Sequence, residues 1–168
     1  MNLVQLLMRT AITFGERPAI FFGDELICNY TGFALRAASI SGFLSERLGL
    51  KPGDRVAIFM GNGPDYLPIL YGAWFGGFVV VPINAKLHPK EAAFIIEDSG
   101  SRVLFVSRDM AGSIEPMLAS LPSLCATFVP GTSEFSALYT ATPLEAPVHR
   151  QDGDIAWLFY TSGTTGRP

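Results

Sequence analysis

Residues 161–168 read Thr161-Ser162-Gly163-Thr164-Thr165-Gly166-Arg167-Pro168, six consecutive hydroxyl-bearing or glycine residues followed by Arg-Pro. Glycine lets backbone N–H groups turn toward an anion, and Ser and Thr hydroxyls add donors that rotate to suit it. Such a loop directly after a strand makes a phosphate cradle. Clusters of Ser, Thr and Gly also form ordinary surface turns, and composition alone leaves both readings open. The string is not the P-loop of NTPases, which needs Gly, four residues, then Gly-Lys and a hydroxyl. Here Gly163 and Gly166 are three apart, Arg167 stands in place of Lys, and Pro168 in place of the hydroxyl.

The nine residues from Tyr160 to Pro168 resemble the phosphate-loop signature of the AMP-forming adenylating enzymes, which include acyl-CoA synthetases, peptide-synthetase adenylation domains and luciferases. Gly53-Asp54-Arg55-Val56-Ala57-Ile58, the run from Tyr71-Gly72-Ala73 to Val79-Val80-Val81-Pro82-Ile83-Asn84, and Asp98-Ser99-Gly100 also resemble the N-terminal part of acyl-CoA synthetases. Those segments are architectural in that family. The likeness covers residues 15–168 and is closer to acyl-CoA synthetases than to peptide synthetases.

The resemblance implies a ligase that uses ATP with Mg2+ to turn a carboxylate into an acyl-adenylate, then transfers the acyl group to coenzyme A. It assigns the ATP phosphates to Thr161, Ser162, Gly163, Thr164, Thr165 and Gly166, and gives Arg167 no role. It places no catalytic residue and no metal ligand within the chain. The family's loop lysine, Mg2+-associated glutamate, adenine and acyl pockets and C-terminal domain would all follow residue 168. The expectation is therefore a partial N-terminal AMP-binding domain over 1–168, without the C-terminal domain and inactive alone.

Length and composition bound the rest. A chain of 168 residues has enough length for one well-formed core. Charged residues make up only 16% against 49% hydrophobic, which excludes a disordered chain. The net charge is −3, and the lysines are Lys51, Lys86 and Lys90 only, so there is no electrostatic footprint for nucleic acid or an anionic membrane. Cys28 and Cys125 could pair as a disulfide, but without any sign of export they read as free core thiols in a reducing cytosol. No Cys/His spacing suggests a metal site. Residues 1–8 lack the basic start and cleavage site of a signal peptide. Residues 66–85 carry no charge over twenty positions, long enough to span a bilayer, but Pro68, Pro82, Asn84 and three glycines favour a buried helix followed by a buried strand.

The elements that must position the loop follow from periodicity. An amphipathic helix over 2–14 ends at Gly15, and 18–22 and 25–30 flank Gly23-Asp24 as a β-hairpin. Thr31 is the expected N-cap of a helix reaching Leu48 and closed by Gly49. Strands are expected over 55–60, 78–81, 102–106, 125–129 and 155–160, the last aromatic-rich and buried. Helices are expected over 65–75, from Pro89 to Ser99-Gly100, and, more weakly, over 110–121, with Pro68 bending the first. Residues 130–154 form an irregular approach with a short helix near 134–139. The alternation points to an α/β fold: a mostly parallel sheet flanked by helices, the first subdomain of an acyl-CoA synthetase N-terminal domain, preceded by the hairpin.

Other chemistry reads as structural. Gly61-Asn62-Gly63-Pro64 after a strand invites a dinucleotide reading, but Tyr66 occupies the third glycine position, and a helix start capped by Asn62 or Gly63 explains it. His88 and His149 are surface or capping residues, and Asp152 and Asp154 solvate a turn. Two rival functions remain: a stand-alone α/β interaction or regulatory module, and a flavodoxin-type nucleotide binder using the 61–64 turn. A partial domain should also expose apolar surface and self-associate.

Overall fold

The structure, a computed structural model, describes residues 1–161. Helix α1 (Gln5–Phe14) leads to the antiparallel hairpin β1 (Pro18–Phe22) and β2 (Glu25–Asn29), whose turn uses Gly23 at φ 59°. That left-handed conformation favours glycine, as the Gly-Asp turn required. Helix α2 (Tyr30–Gly42) follows, but its N-cap is Asn29 and not Thr31. The Asn29 side chain accepts the Gly32 N–H at 2.8 Å, while Thr31 already lies inside the first turn. The helix does not run to Leu48 as a uniform α-helix, because Phe43–Arg47 widens into a π-helical turn before Gly49 stops it at φ 68°.

Four parallel strands form the main sheet among the described residues, in the order β4 (Val79–Ile83), β3 (Arg55–Phe59), β5 (Val103–Val106), β6 (Ala126–Phe128). The register pairs Arg55 with Val79 and Val56 with Val103. Side chains alternate strictly between the faces. Val56, Ile58, Val80, Val103 and Phe105 pack with α1, α2, α3 (Tyr66–Phe75) and α6 (Ser133–Thr140). Ala57, Phe59, Val81, Ile83, Leu104 and Val106 pack beneath α4 (Pro89–Asp98) and α5 (Arg108–Leu118). Covering both faces is what makes Val79-Val80-Val81 apolar without alternation.

Helices α2 and α3 approach closely because small residues line the contact. A Cβ added to Gly72 would lie 2.9 Å from Ile40 Cβ and 3.1 Å from the Ala37 carbonyl. The expected bend at Pro68 loses its cause: α3 begins at Tyr66, so Pro68 stands in the first turn, where no helical N–H bond is made. Residues 66–85 contain α3 and β4, and no helix of the described residues is long and apolar enough to cross a membrane.

Candidate functional site: the approach to the hydroxyl and glycine loop

The segment before the loop is not a regular buried strand. Residues 155–161 run parallel to the free edge of β4 and make one β-bridge, Val80 with Trp157. Val80 N–H donates to the Ala156 carbonyl at 3.0 Å, and Leu158 N–H donates to the Val80 carbonyl at 2.9 Å. A parallel ladder would next need an N–H from the residue two beyond Val80. That residue is Pro82, which has none, so the ladder stops after one rung. Ile155 and Phe159 remain 60% and 63% exposed, which corrects the expectation of a buried strand.

Side chains dock what the backbone cannot. Trp74 donates its indole N–H to the Ala156 carbonyl at 3.0 Å and packs edge-on against Trp157 at 4.7 Å between ring centroids. Trp157 in turn stacks on Phe159 at 5.1 Å. Leu158 and Tyr160 turn the other way, onto the side of the sheet covered by α4 and α5. The Tyr160 hydroxyl donates to Asp98 Oδ2 at 2.6 Å. Burial first, and the hydrogen bond to Asp98 second, push the Tyr160 phenol up to about 12. It is therefore a protonated donor at neutral pH.

Thr161, the first assigned phosphate-binding residue, follows directly and is exposed. Ser162, Gly163, Thr164, Thr165 and Gly166 lie outside the described residues.

The remaining candidates are placed as structure. His88 caps α4: its Nδ1 accepts the Lys90 N–H at 3.2 Å, while Glu91 Oε2 accepts the His88 N–H at 2.9 Å. Asp152 pairs with the Met1 ammonium at 3.0 Å, and Asp154 pairs with Arg150 at 3.1 Å and accepts the Gln151 N–H. Cys28 and Cys125 are both free thiols, but neither is in the core: Cys28 is half-buried and Cys125 exposed.

The 61–64 turn sits at the carboxyl end of β3, where the connections reverse direction between β3 and β5. Open α/β sheets often bind nucleotides at such a point. Here Ser107 Oγ accepts the Gly61 N–H at 2.9 Å, and Ser107 N–H donates to the Phe59 carbonyl at 3.2 Å, extending the β3–β5 ladder into the turn. Asp65, at the start of α3, accepts the Tyr139 hydroxyl at 2.6 Å. Among the described residues no three His, Cys, Asp or Glu side chains converge on a metal position.

Sequence reading missed three contributors to this approach: Trp74, Pro82 and Asp98. A signal existed for two of them. A proline within Val-Val-Val-Pro-Ile marks an edge strand, and an acidic residue at a helix carboxyl end opposes the helix dipole.

Comparison with known proteins agrees with this architecture. Residues 7–168 match the AMP-binding enzyme family. The chain is 32% identical over 160 residues to a putative acyl-CoA ligase, YdaB, of Bacillus subtilis, covering 91% of this chain and 31% of that protein. It is 37% identical over 123 residues to the long-chain-fatty-acid–CoA ligase FadD13 of Mycobacterium tuberculosis, covering 72% of this chain and 24% of that protein. The inhibitor-bound N-terminal domain of FACL13 from Mycobacterium tuberculosis superposes with a TM-score of 0.89 at 30% identity, covering 99% of this chain and 42% of that domain. The chain thus spans less than a third of the length of these two curated relatives. With its parallel sheet, its hairpin and a docked approach to a hydroxyl and glycine loop, this chain belongs to the AMP-binding enzyme family.

Proposed function

We propose that this chain supplies the first α/β layer and the polyphosphate-holding loop of an AMP-forming acyl-CoA synthetase. In the first step a carboxylate oxygen attacks the α-phosphorus of ATP, the bond to the β-phosphate oxygen breaks, and pyrophosphate leaves. In the second, the thiol of coenzyme A displaces AMP from the acyl carbon. The departing pyrophosphate carries several negative charges, so donors already aimed at it stabilise the transition state without reorganisation. Thr161, Ser162, Thr164 and Thr165 supply hydroxyls, and Gly163 and Gly166 let backbone N–H groups approach. The observation that carries this reading is the nine-residue string 160–168, which follows in sequence a segment bridged to the sheet edge at Trp157.

The family reaction uses Mg2+. Among the described residues no three His, Cys, Asp or Glu side chains converge to hold it. A cytoplasmic location belongs to the same proposal, supported by the two free thiols. Self-association of the isolated chain does too, supported by the exposed Ile155 and Phe159.

Carboxylate-dependent ATP–pyrophosphate exchange tests the reading. The 168-residue chain is expected to show none, because no acyl or adenine site is assigned within it. The gene product including any codons after Pro168 is expected to exchange, and to lose exchange when Gly163→Val blocks backbone approach. A product without exchange, or with exchange indifferent to Gly163→Val, overturns the proposal.

A further inference from the structure

Asp98 carries its charge where a helix resists one. It is the last residue of α4, next to Glu97, in a turn without a basic residue. The carboxyl end of a helix is electronegative and disfavours anions. That end is nevertheless firmly built. Gly100 takes φ 60°, Ser101 N–H donates to the Ile96 carbonyl at 3.0 Å, and Gly100 N–H donates to the Glu97 carbonyl at 2.9 Å. Arg55 reaches across from β3 and donates Nε to the Ser99 carbonyl at 2.7 Å and Nη2 to the Gly100 carbonyl at 2.9 Å. Asp98 therefore stands on a platform tied to the central strand of the sheet.

From that platform its Oδ2 accepts the Tyr160 hydroxyl at 2.6 Å, a short bond to an ionised acceptor. Tyr160 immediately precedes Thr161. The backbone ladder that should hold this point ended two residues earlier, at Leu158, because Pro82 offers no donor.

We propose that Asp98 is a positioning residue for the phosphate-holding loop: acting through Tyr160, it replaces the rung that Pro82 cannot make and sets where the chain leaves the sheet edge. The inference rests on the reading that residues 161–166 hold the polyphosphate of ATP. It gives the Asp-Ser-Gly stretch a division of labour. Ser99 and Gly100 turn the chain and offer carbonyls to Arg55, and Asp98 holds Tyr160, the residue before Thr161.

The test uses the 168-residue chain with Tyr160→Phe, Asp98→Ala, Asp98→Asn and the Tyr160→Phe/Asp98→Ala double variant. Two readouts are followed: calorimetric affinity for ATP and inorganic tripolyphosphate, and hydrogen exchange of the Thr161 amide. Tyr160→Phe and Asp98→Ala are each expected to weaken binding about tenfold and to speed Thr161 exchange, as for loss of a bond to a charged group. The double variant is expected to be no worse than either single one, because both remove the same contact. Asp98→Asn, which keeps a carbonyl acceptor, is expected to recover most of the loss. Thermal unfolding midpoints are expected to stay together across the set.

If the wild-type chain binds neither anion, the phosphate reading fails and the inference fails with it. If the wild-type chain binds and the variants bind equally, the reading stands and the inference is overturned. Unchanged Thr161 exchange in Tyr160→Phe overturns it whatever the binding shows. So does a loss of affinity that follows a fall in unfolding midpoint without rescue by asparagine.

Discussion

Tyr139 donates its hydroxyl to Asp65 Oδ1 at 2.6 Å, with the Arg36 guanidinium 5.1 Å from the centre of the ring. The bond ties the start of α3 to α6, so a half-buried carboxylate has its donor. Burial first, and the bond to Asp65 second, push the Tyr139 phenol well above the usual range. Replacing it by Phe strands the carboxylate. Tyr139→Phe is expected to cost about 1–3 kcal/mol, read as a lower urea midpoint. The pH dependence has a definite sign. A phenol raised in the folded state contributes fully below its ordinary value of 10.0, and that contribution is lost as pH rises through the folded value. Stability should therefore decline between pH 10 and about 12, where Tyr160 titrates. Tyr139→Phe and Tyr160→Phe are each expected to flatten that decline, and an equal slope in the variants would refute the assignment.

Between elements, the informative contact is the one β4 fails to make. Val79, Val81 and Ile83 keep their N–H groups for the β3 side, while Val80 and Pro82 face the approach segment. Pro82→Val restores a donor opposite the Leu158 carbonyl. The expected outcome is slower amide exchange at Tyr160 and a protected amide at position 82. Overall stability should move little. A new hydrogen bond is worth about 1 kcal/mol, and losing the proline returns about 0.4–1 kcal/mol of chain entropy to the unfolded state. Exchange, not melting, is the measurement that separates these effects. The same strand explains why α4 matters to the loop: its capping box at His88 and its closure at Gly100 hold both ends of the helix that carries Asp98.

At the scale of the molecule, the outer edge beyond β4 carries Ile155 and Phe159 at 60% and 63% exposure. Exposed apolar residues along an incompletely laddered edge favour pairing with a second chain. Sedimentation of the isolated chain is expected to show self-association that Ile155→Ser/Phe159→Ser reduces. A monomer at high micromolar concentration would count against it. Periodicity alone carried most of the architecture: Leu and Ala stripes marked the helices, β-branched runs marked the strands, and Gly23, Gly49 and Gly100 marked reversals that prove left-handed. These are local signals, because a side-chain period or a positive φ is set within a few residues of chain. The loop was legible as a string rather than as a composition: Ser, Thr and Gly alone left a surface turn open, and the order of residues 160–168 carried the family resemblance. Three-dimensional packing settled the rest. That the terminal segment is a one-rung edge, and that Asp98 meets Tyr160 across 62 residues, depend on which groups the fold brings within reach. No local pattern encodes a partner that distant. Only the folded sheet, with a proline on its edge strand and the end of α4 beside it, decides how residues 155–161 are held.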